Sequence, residues 1–155
     1  MIPSGRVALE LSPGRGQRVT LSGGVTLIDD CYNANPMSMR AALEDLAETA
    51  GRVDQARPVA VLGDMLELGP RERDYHVELG EQAVRAGVGL LVTVGPLAEA
   101  IAERFDGEVY SVPDAAAAAE VVPDLLRSGD VVLVKGSRGV GLELVCRALS
   151  AGARV

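Results

Sequence analysis

The apolar residues of this chain follow two different spacings, one typical of buried strands and the other of helices. Short apolar runs without internal alternation, such as Val131-Val132-Leu133-Val134, are typical of strands that are covered on both faces. Between such runs, apolar residues recur every three or four positions, as in Met39, Leu43, Leu46 and Ala50. That spacing places them on one face of a helix. The pattern therefore predicts buried parallel strands that alternate with amphipathic helices.

The predicted elements begin with a hairpin and continue as helices and strands in turn. Residues 18–21 and 25–29 read as two strands joined by Ser22-Gly23-Gly24, a connection of hairpin length. The first helix begins at Asn35-Pro36, because asparagine suits the N-cap and proline the first helical position. The elements that follow are helix 36–50, strand 59–62, helix 71–86, strand 90–94, helix 97–105, strand 109–112, helix 114–126, strand 131–134 and helix 142–149.

This order predicts an α/β fold, namely a three-layer α/β/α sandwich. Its sheet is mostly parallel, has about six strands and includes one antiparallel strand from the N-terminal hairpin. A length of 155 residues with 48% apolar content indicates one globular domain with a real core. Aromatic residues make up only 3% of the chain, so valine, leucine, alanine and isoleucine must fill that core.

Charge and cysteine content exclude several classes of function. A formal net charge of −7 repels nucleic acid, which is bound through clustered lysine and arginine. The two cysteines, Cys31 and Cys146, are too few for a disulfide scaffold and lack the spacing usual for a zinc site, so we expect no metal site. We found neither a signal-peptide pattern nor an apolar run long enough to span a membrane. We therefore expect a cytoplasmic protein that does not insert into membranes.

The first loop with chemical potential covers residues 29–36, between a strand and a helix. Ligands bind beyond the carboxyl ends of strands in open α/β sheets. This loop holds two carboxylates, a phenol and two amides, which suit hydrogen bonds to a ribose and contacts with a base. A purely structural alternative is that Asn35 caps the helix, Asp30 makes a turn hydrogen bond and Tyr32 covers the edge of the core.

Two further loops follow strands, at residues 63–69 and 135–139. The second of them places Lys135 and several backbone N–H groups before a helix, an arrangement that suits a carboxylate or a phosphate. The structural alternative is a tight glycine turn with a solvated lysine. Lys135 is the only lysine and does not stand in a P-loop motif, so the chain is not an autonomous P-loop ATPase. His76 is the only histidine, and we expect it to pack or lie at the surface unless it has a hydrogen-bond partner.

Four motifs, in this order, resemble the C-terminal domain of the Mur ligases. They are PGRGQ at 13–17, IDDCYNANP at 28–36 followed by Ser38 and Met39, GDMLELG at 63–69 followed by His76, and KGSR at 135–138. The resemblance extends over residues 5–150 and implies a Rossmann-like domain at residues 15–155. Residues 1–14 would be an interdomain linker or the start of the domain, and the family's N-terminal UDP-sugar domain and central ATPase domain would be absent.

The resemblance implies an ATP-dependent ligase that adds D-alanyl-D-alanine to UDP-N-acetylmuramoyl-tripeptide during peptidoglycan precursor synthesis. Its cofactors would be ATP and Mg²⁺, with the metal ligands in the central domain. This chain would close onto that domain, complete the ATP site and position the incoming dipeptide, so alone it would be inactive. The alternatives are a domain of a sister Mur ligase or of a folylpolyglutamate-type ligase, and a stand-alone nucleotide-binding module.

The family motifs also imply roles for individual residues. Arg15 would approach the ATP phosphates and Asp30 would accept a ribose hydroxyl. The adenine would lie beside the side-chain amides of Asn33 and Asn35. Together with Tyr32, these residues make up the expected nucleotide-binding set: Arg15, Asp30, Tyr32, Asn33 and Asn35. Tentative contacts with the dipeptide substrate are Asp64, Lys135, Ser137 and Arg138. We expect no catalytic residue in this chain, and Cys31 stands where the family usually has a serine.

Overall fold

The computed structural model of the protein describes residues 14–152, in which six strands form one mixed sheet. The strands are β1 (Gln17–Thr20), β2 (Thr26–Asp29), β3 (Pro58–Gly63), β4 (Leu90–Val94), β5 (Glu108–Val112) and β6 (Val131–Lys135). Their spatial order is β1-β2-β6-β3-β4-β5. Only β1 and β2 pair antiparallel, and every other pair is parallel. The predicted mostly parallel sheet with an N-terminal hairpin is confirmed.

Four α-helices and three short 3₁₀ helices connect the strands within the described residues. The α-helices are α1 (Pro36–Gly51), α2 (Glu72–Arg85), α3 (Ala115–Leu125) and α4 (Glu143–Gly152). The 3₁₀ helices are Gly69–Arg71, Ala98–Arg104 and Arg138–Val140. In the described part of the chain, no helix is long and apolar enough to cross a membrane.

The segment predicted as a helix over 97–105 differs from expectation, because it is a 3₁₀ helix at Ala98–Arg104. It packs so closely on α2 that a Cβ at Gly80 would overlap the carbonyl oxygen of Ile101. The apolar spacing of the sequence indicates which face is buried. It does not distinguish an α-helix from a 3₁₀ helix that is held against a glycine.

Apolar side chains from both faces of the sheet form two cores. Residues of β6 alternate between them, since Val131 and Leu133 belong to one core and Val132 and Val134 to the other. The first core is covered by α1 and α2 and the second by α3 and α4. Strand β6 is therefore buried on both faces, as its unbroken apolar sequence predicts.

Local chemistry fixes the start of α1 at the predicted residue. The Asn35 side chain accepts a hydrogen bond from the Ser38 backbone N–H at 2.8 Å, and the Ser38 hydroxyl accepts one from the Asn35 N–H at 3.0 Å. This reciprocal capping box satisfies two N–H groups that the helix leaves without partners, and Pro36 occupies the first turn. The helix therefore begins directly after the loop that ends β2. The linker assigned to residues 1–14 lies outside the described residues, apart from Gly14.

Candidate nucleotide and substrate site

Three loops meet at one edge of the sheet because the carboxyl ends of β2, β6 and β3 are adjacent. Asp29 at the end of β2 is in register with Val134, and Lys135 at the end of β6 is in register with Leu62. The segments 30–35, 136–138 and 64–68 therefore lie side by side. This edge is where an open α/β sheet binds its ligands.

Lys135 and Asp30 form an ion pair between two of these loops. The Lys135 Nζ donates to Asp30 Oδ2 at 3.0 Å and to the backbone oxygen of Asn33 at 2.9 Å. The lysine side chain is 4% exposed and the aspartate side chain 22%. The alternative of a solvated lysine is therefore wrong, because the neighbouring strand supplies an anion and a carbonyl that compensate for its burial.

The other carboxylate oxygen of Asp30 remains accessible to a ligand. Within residues 14–152, Asp30 Oδ1 accepts no hydrogen bond, and the alternative that Asp30 makes a turn bond finds no support there. Burial raises the pKa of the Asp30 carboxyl above its ordinary value, although the hydrogen bond and charge of Lys135 lower it. The negative charges of Asp29 and Asp45 add to the rise. Lys135 therefore holds Asp30 Oδ2 in place, and Oδ1 is left as a hydrogen-bond acceptor for a ligand.

Tyr32 lies between two arginines from different parts of the chain. Its ring centroid is 3.7 Å from the Arg15 guanidinium carbon and 5.0 Å from that of Arg138. The backbone N–H of Tyr32 donates to the Gly14 carbonyl at 2.7 Å, which fixes the position of Arg15 beside the ring. Gly14 has φ +82°, a conformation that a residue with a side chain rarely adopts. The result is an exposed aromatic ring between two cations, an environment suited to an anionic ligand.

The two asparagines of the loop already use their side-chain oxygens locally. The Asn33 Oδ1 accepts a hydrogen bond from the Ala34 N–H at 2.9 Å, and the Asn35 Oδ1 caps α1. The capping alternative for Asn35 is therefore confirmed. Both side chains are exposed, and their NH₂ groups are the atoms that remain for a base. The adenine contacts implied by the family motif stay a prediction.

Asp64 and Ser137 join the second loop to the third. The Asp64 Oδ1 accepts from the Ala98 N–H at 2.6 Å, while its backbone oxygen accepts from the Ser137 N–H at 3.0 Å. The Ser137 hydroxyl accepts from the Leu66 N–H at 2.8 Å. Both side chains are buried. Their polar groups therefore position the loops, and contact with a substrate stays a prediction for both.

His76 performs the same kind of structural function behind the second loop. It is fully buried, and its Nε2 accepts from the Met65 N–H at 2.9 Å. Because Nε2 is an acceptor, Nδ1 carries the proton and donates to the Glu72 carbonyl at 2.7 Å. His76 is thus packed inside the domain, and unlike a residue that only fills space it has two hydrogen-bond partners, Met65 and Glu72.

Sequence reasoning missed one cluster at this edge of the sheet. Cys31 and Cys146, which are far apart in the sequence, lie together with Asp29. The Cys31 Sγ donates to Asp29 Oδ1 at 3.1 Å. A small signal existed, since these are the two cysteines of the whole chain. Their proximity depends on how α4 packs, which no local motif predicts.

Comparison with known proteins gives a consistent set of relatives. Residues 14–138 match the family described as Mur ligase, glutamate ligase domain. The chain is 41% identical over 161 residues to the UDP-N-acetylmuramoyl-tripeptide--D-alanyl-D-alanine ligase of Mycobacterium tuberculosis (strain H37Rv), covering 91% of this chain and 32% of that protein. With the ligase of the same name from Escherichia coli (strain K12), identity is 38% over 151 residues, covering 96% and 32%.

Solved structures agree with these relatives. The MurF ligase from Thermotoga maritima in complex with ADP has a TM-score of 0.77 and 29% identity, covering 95% of this chain and 33% of that one. The chain spans about a third of the length of the curated relatives it matches. The similarity confirms the Rossmann-like fold expected from the resemblance. Since the family match extends over most of the described residues, this chain belongs to the Mur ligase family and corresponds to its glutamate ligase domain.

Proposed function

We propose that this chain is the domain of a UDP-N-acetylmuramoyl-tripeptide--D-alanyl-D-alanine ligase that completes the ATP site and positions the incoming dipeptide. The names of the curated relatives support the reaction, and the ADP complex of the Thermotoga structure supports the nucleotide. The ligase would act in the cytoplasm on UDP-N-acetylmuramoyl-tripeptide and D-alanyl-D-alanine. The chain alone would be inactive, because its partner is the central ATPase domain of the same enzyme.

The observation that carries this proposal is the accessible carboxylate oxygen of Asp30 beside Tyr32. Asp30 Oδ1 would accept a ribose hydroxyl while Oδ2 stays bound to Lys135. Arg15 now lies on the Tyr32 ring and is exposed, so its guanidinium is free to turn towards phosphate oxygens when the central domain approaches. The exposed amide groups of Asn33 and Asn35 would border the adenine.

The tentative dipeptide residues divide into two groups by how their polar atoms are used. Asp64, Lys135 and Ser137 are buried and hydrogen-bonded, so we propose that they hold the loops in the binding geometry. Arg138 is exposed and only weakly attached, with Nη1 at 3.4 Å from the Tyr32 hydroxyl. Its guanidinium would bind the carboxylate of the dipeptide.

The residues at this edge do not fit a magnesium ion. Mg²⁺ is usually held by one or two carboxylates together with waters and phosphates, and the Asp30 carboxylate at this edge is already paired with Lys135 at 3.0 Å. The metal that accompanies ATP would therefore take its ligands from the central domain.

Substitution of Asp30 by asparagine in the full-length ligase tests the proposal. Asp30→Asn leaves an oxygen for Lys135 and replaces the outward acceptor by a donor. A hydrogen bond to a charged group contributes about 1.5–3 kcal/mol, so the KM for ATP should rise roughly 10- to 150-fold. The exposed Asp54→Asn is the matched control and should leave the KM unchanged.

Two results would contradict the proposal. Unchanged KM for ATP and unchanged kcat in a folded Asp30→Asn ligase would remove the role of that carboxylate. Product formation by the purified chain 1–155, supplied with ATP and both peptide substrates, would contradict its dependence on the central domain. Calorimetric titration of the isolated chain with ATP distinguishes the proposal from the alternative of a stand-alone nucleotide-binding module. Such a module should bind ATP tightly, whereas this domain alone should bind it only weakly.

A further inference from the structure

The two cysteines of the chain lie beside one carboxylate, and the three residues come from a strand end, a loop and a helix. Asp29 ends β2, Cys31 follows in the next loop, and Cys146 lies on α4. One ligand atom from each residue, the two sulfurs and a carboxylate oxygen, all lie within 4.8 Å of one another. The chain has no other cysteine, so every thiol it possesses is in this cluster.

The Asp29 carboxylate of the cluster forms no ion pair with another described residue. Its Oδ1 accepts a hydrogen bond from the Cys31 thiol at 3.1 Å. Both thiols are buried. Three groups that can each bind a cation therefore lie together, and Arg147, which lines the same groove, is not ion-paired with Asp29.

The cluster is also open to solvent on one side. Asp29 and Cys146 line a groove of about 490 Å³ that runs between the hairpin and α4. An ion can enter along this groove. A water molecule can reach the side of the cluster that the three protein ligands leave free.

We propose that Cys31, Cys146 and Asp29 form a binding site for a thiophilic divalent cation of the zinc class. In a tetrahedral site with Zn–S bonds of about 2.3 Å, two sulfur ligands lie about 3.8 Å apart. A cluster already within 4.8 Å reaches this geometry with a movement of about 1 Å. Two sulfurs disfavour Mg²⁺ and Ca²⁺, which prefer oxygen. The fourth position faces the groove and would hold water.

Such an ion would fasten the loop after β2 to α4. That loop carries Tyr32 and Asn33, so a metal at Cys31 would hold it in its present position. The site does not depend on the proposed ligase activity, because its ligands and its groove are properties of this chain alone.

Cobalt titration of the reduced, chelator-treated chain 1–155 tests the site directly. We expect one Co²⁺ per chain, with a thiolate-to-cobalt charge-transfer band that Zn²⁺ then removes. The band can arise only from Cys31 and Cys146, since the chain has no other thiols. Zn²⁺ at about 100 times its Kd should raise the Tm by roughly 5–10 °C. Absence of the band, or a complex that forms only between two chains in size-exclusion chromatography, would overturn the proposal.

Serine variants identify the ligands. Cys31→Ser and Cys146→Ser should each bind Co²⁺ at least tenfold more weakly and reduce the charge-transfer band per bound ion by about half, because one of two thiolates remains, and the double variant should lose the band. Asp29→Asn should weaken binding, whereas the exposed Asp54→Asn is the control and should not. An unchanged band in either single variant, or any band in the double variant Cys31→Ser with Cys146→Ser, would overturn the assignment.

A measurement on the unaltered chain keeps the test valid if a variant fails to fold. Zn²⁺ should protect both thiols from a thiol-specific reagent, because the metal binds the thiolates. Thiols that react equally fast with and without Zn²⁺ would rule out the site.

Discussion

Lys135 and Asp30 are buried to different extents, so removing one charge of this ion pair should lower the free energy of unfolding more than removing the other. Lys135→Met leaves a carboxylate that is 22% exposed and can regain water. Asp30→Leu leaves an ammonium that is 4% exposed and keeps only the Asn33 carbonyl at 2.9 Å. Breaking a buried pair costs about 3–5 kcal/mol. We expect about 2–3 kcal/mol for Lys135→Met and about 4–5 kcal/mol for Asp30→Leu, since the deeper charge cannot be hydrated.

The double variant adds an internal control to this comparison. With both charges gone, the two substituted side chains would be apolar neighbours, so Lys135→Met combined with Asp30→Leu should cost less than Asp30→Leu alone. Urea denaturation of the isolated chain, followed by circular dichroism, gives the free energy of unfolding and the m-value for all four proteins. Equal costs for the two single variants, or a double variant whose cost is their sum, would refute the argument from burial.

Two further pairs of substitutions compare a packed position with an open one, both measured as free energies of unfolding in urea. Gly80→Ala should destabilise the domain by at least about 3 kcal/mol, because the new Cβ would overlap a backbone carbonyl. Gly51→Ala has open space around it and should stabilise the domain by about 0.5–1 kcal/mol. Free-energy changes of the same sign for both variants would contradict this packing. Arg57→Met should cost about 3–5 kcal/mol because the buried Asp130 loses its ion-pair partner at 2.7 Å and keeps only the Arg127 N–H, and the exposed Arg52→Met should cost less than about 1 kcal/mol. Similar losses for the two arginines would contradict the difference in burial.

Features that depend on neighbours in the sequence could be predicted from it. The start of α1 at Pro36 is correct because Asn35 and Ser38 form the capping box within four residues. The run of apolar residues in β6 predicts a strand covered on both faces, and both cores indeed include residues of that strand. The loops at the carboxyl ends of strands were also predicted correctly, because the alternation of strands and helices places them there.

Features that depend on the order of strands could not be predicted in this way. A lysine directly after an apolar strand looks solvated until β2 is known to lie beside β6, which brings Asp30 to Lys135. The contact between Cys31 and Cys146 could not be predicted for the same reason, because it depends on how α4 packs over β2 and the two residues are too far apart in the sequence to belong to one motif. Periodicity likewise did not reveal the 3₁₀ geometry of Ala98–Arg104, which goes with tight packing against Gly80.

The position of β6 between β2 and β3 has a consequence for how the domain forms during translation. The strand that joins the two halves of the sheet is the last one to leave the ribosome. Until residues 131–135 emerge, the hairpin with α1 and the group β3-β4-β5 have no strand in common, and each has an unpaired edge. The nascent chain must therefore wait for its sixth strand before the two halves can become one cooperative unit, and this interval is when it is most exposed to aggregation.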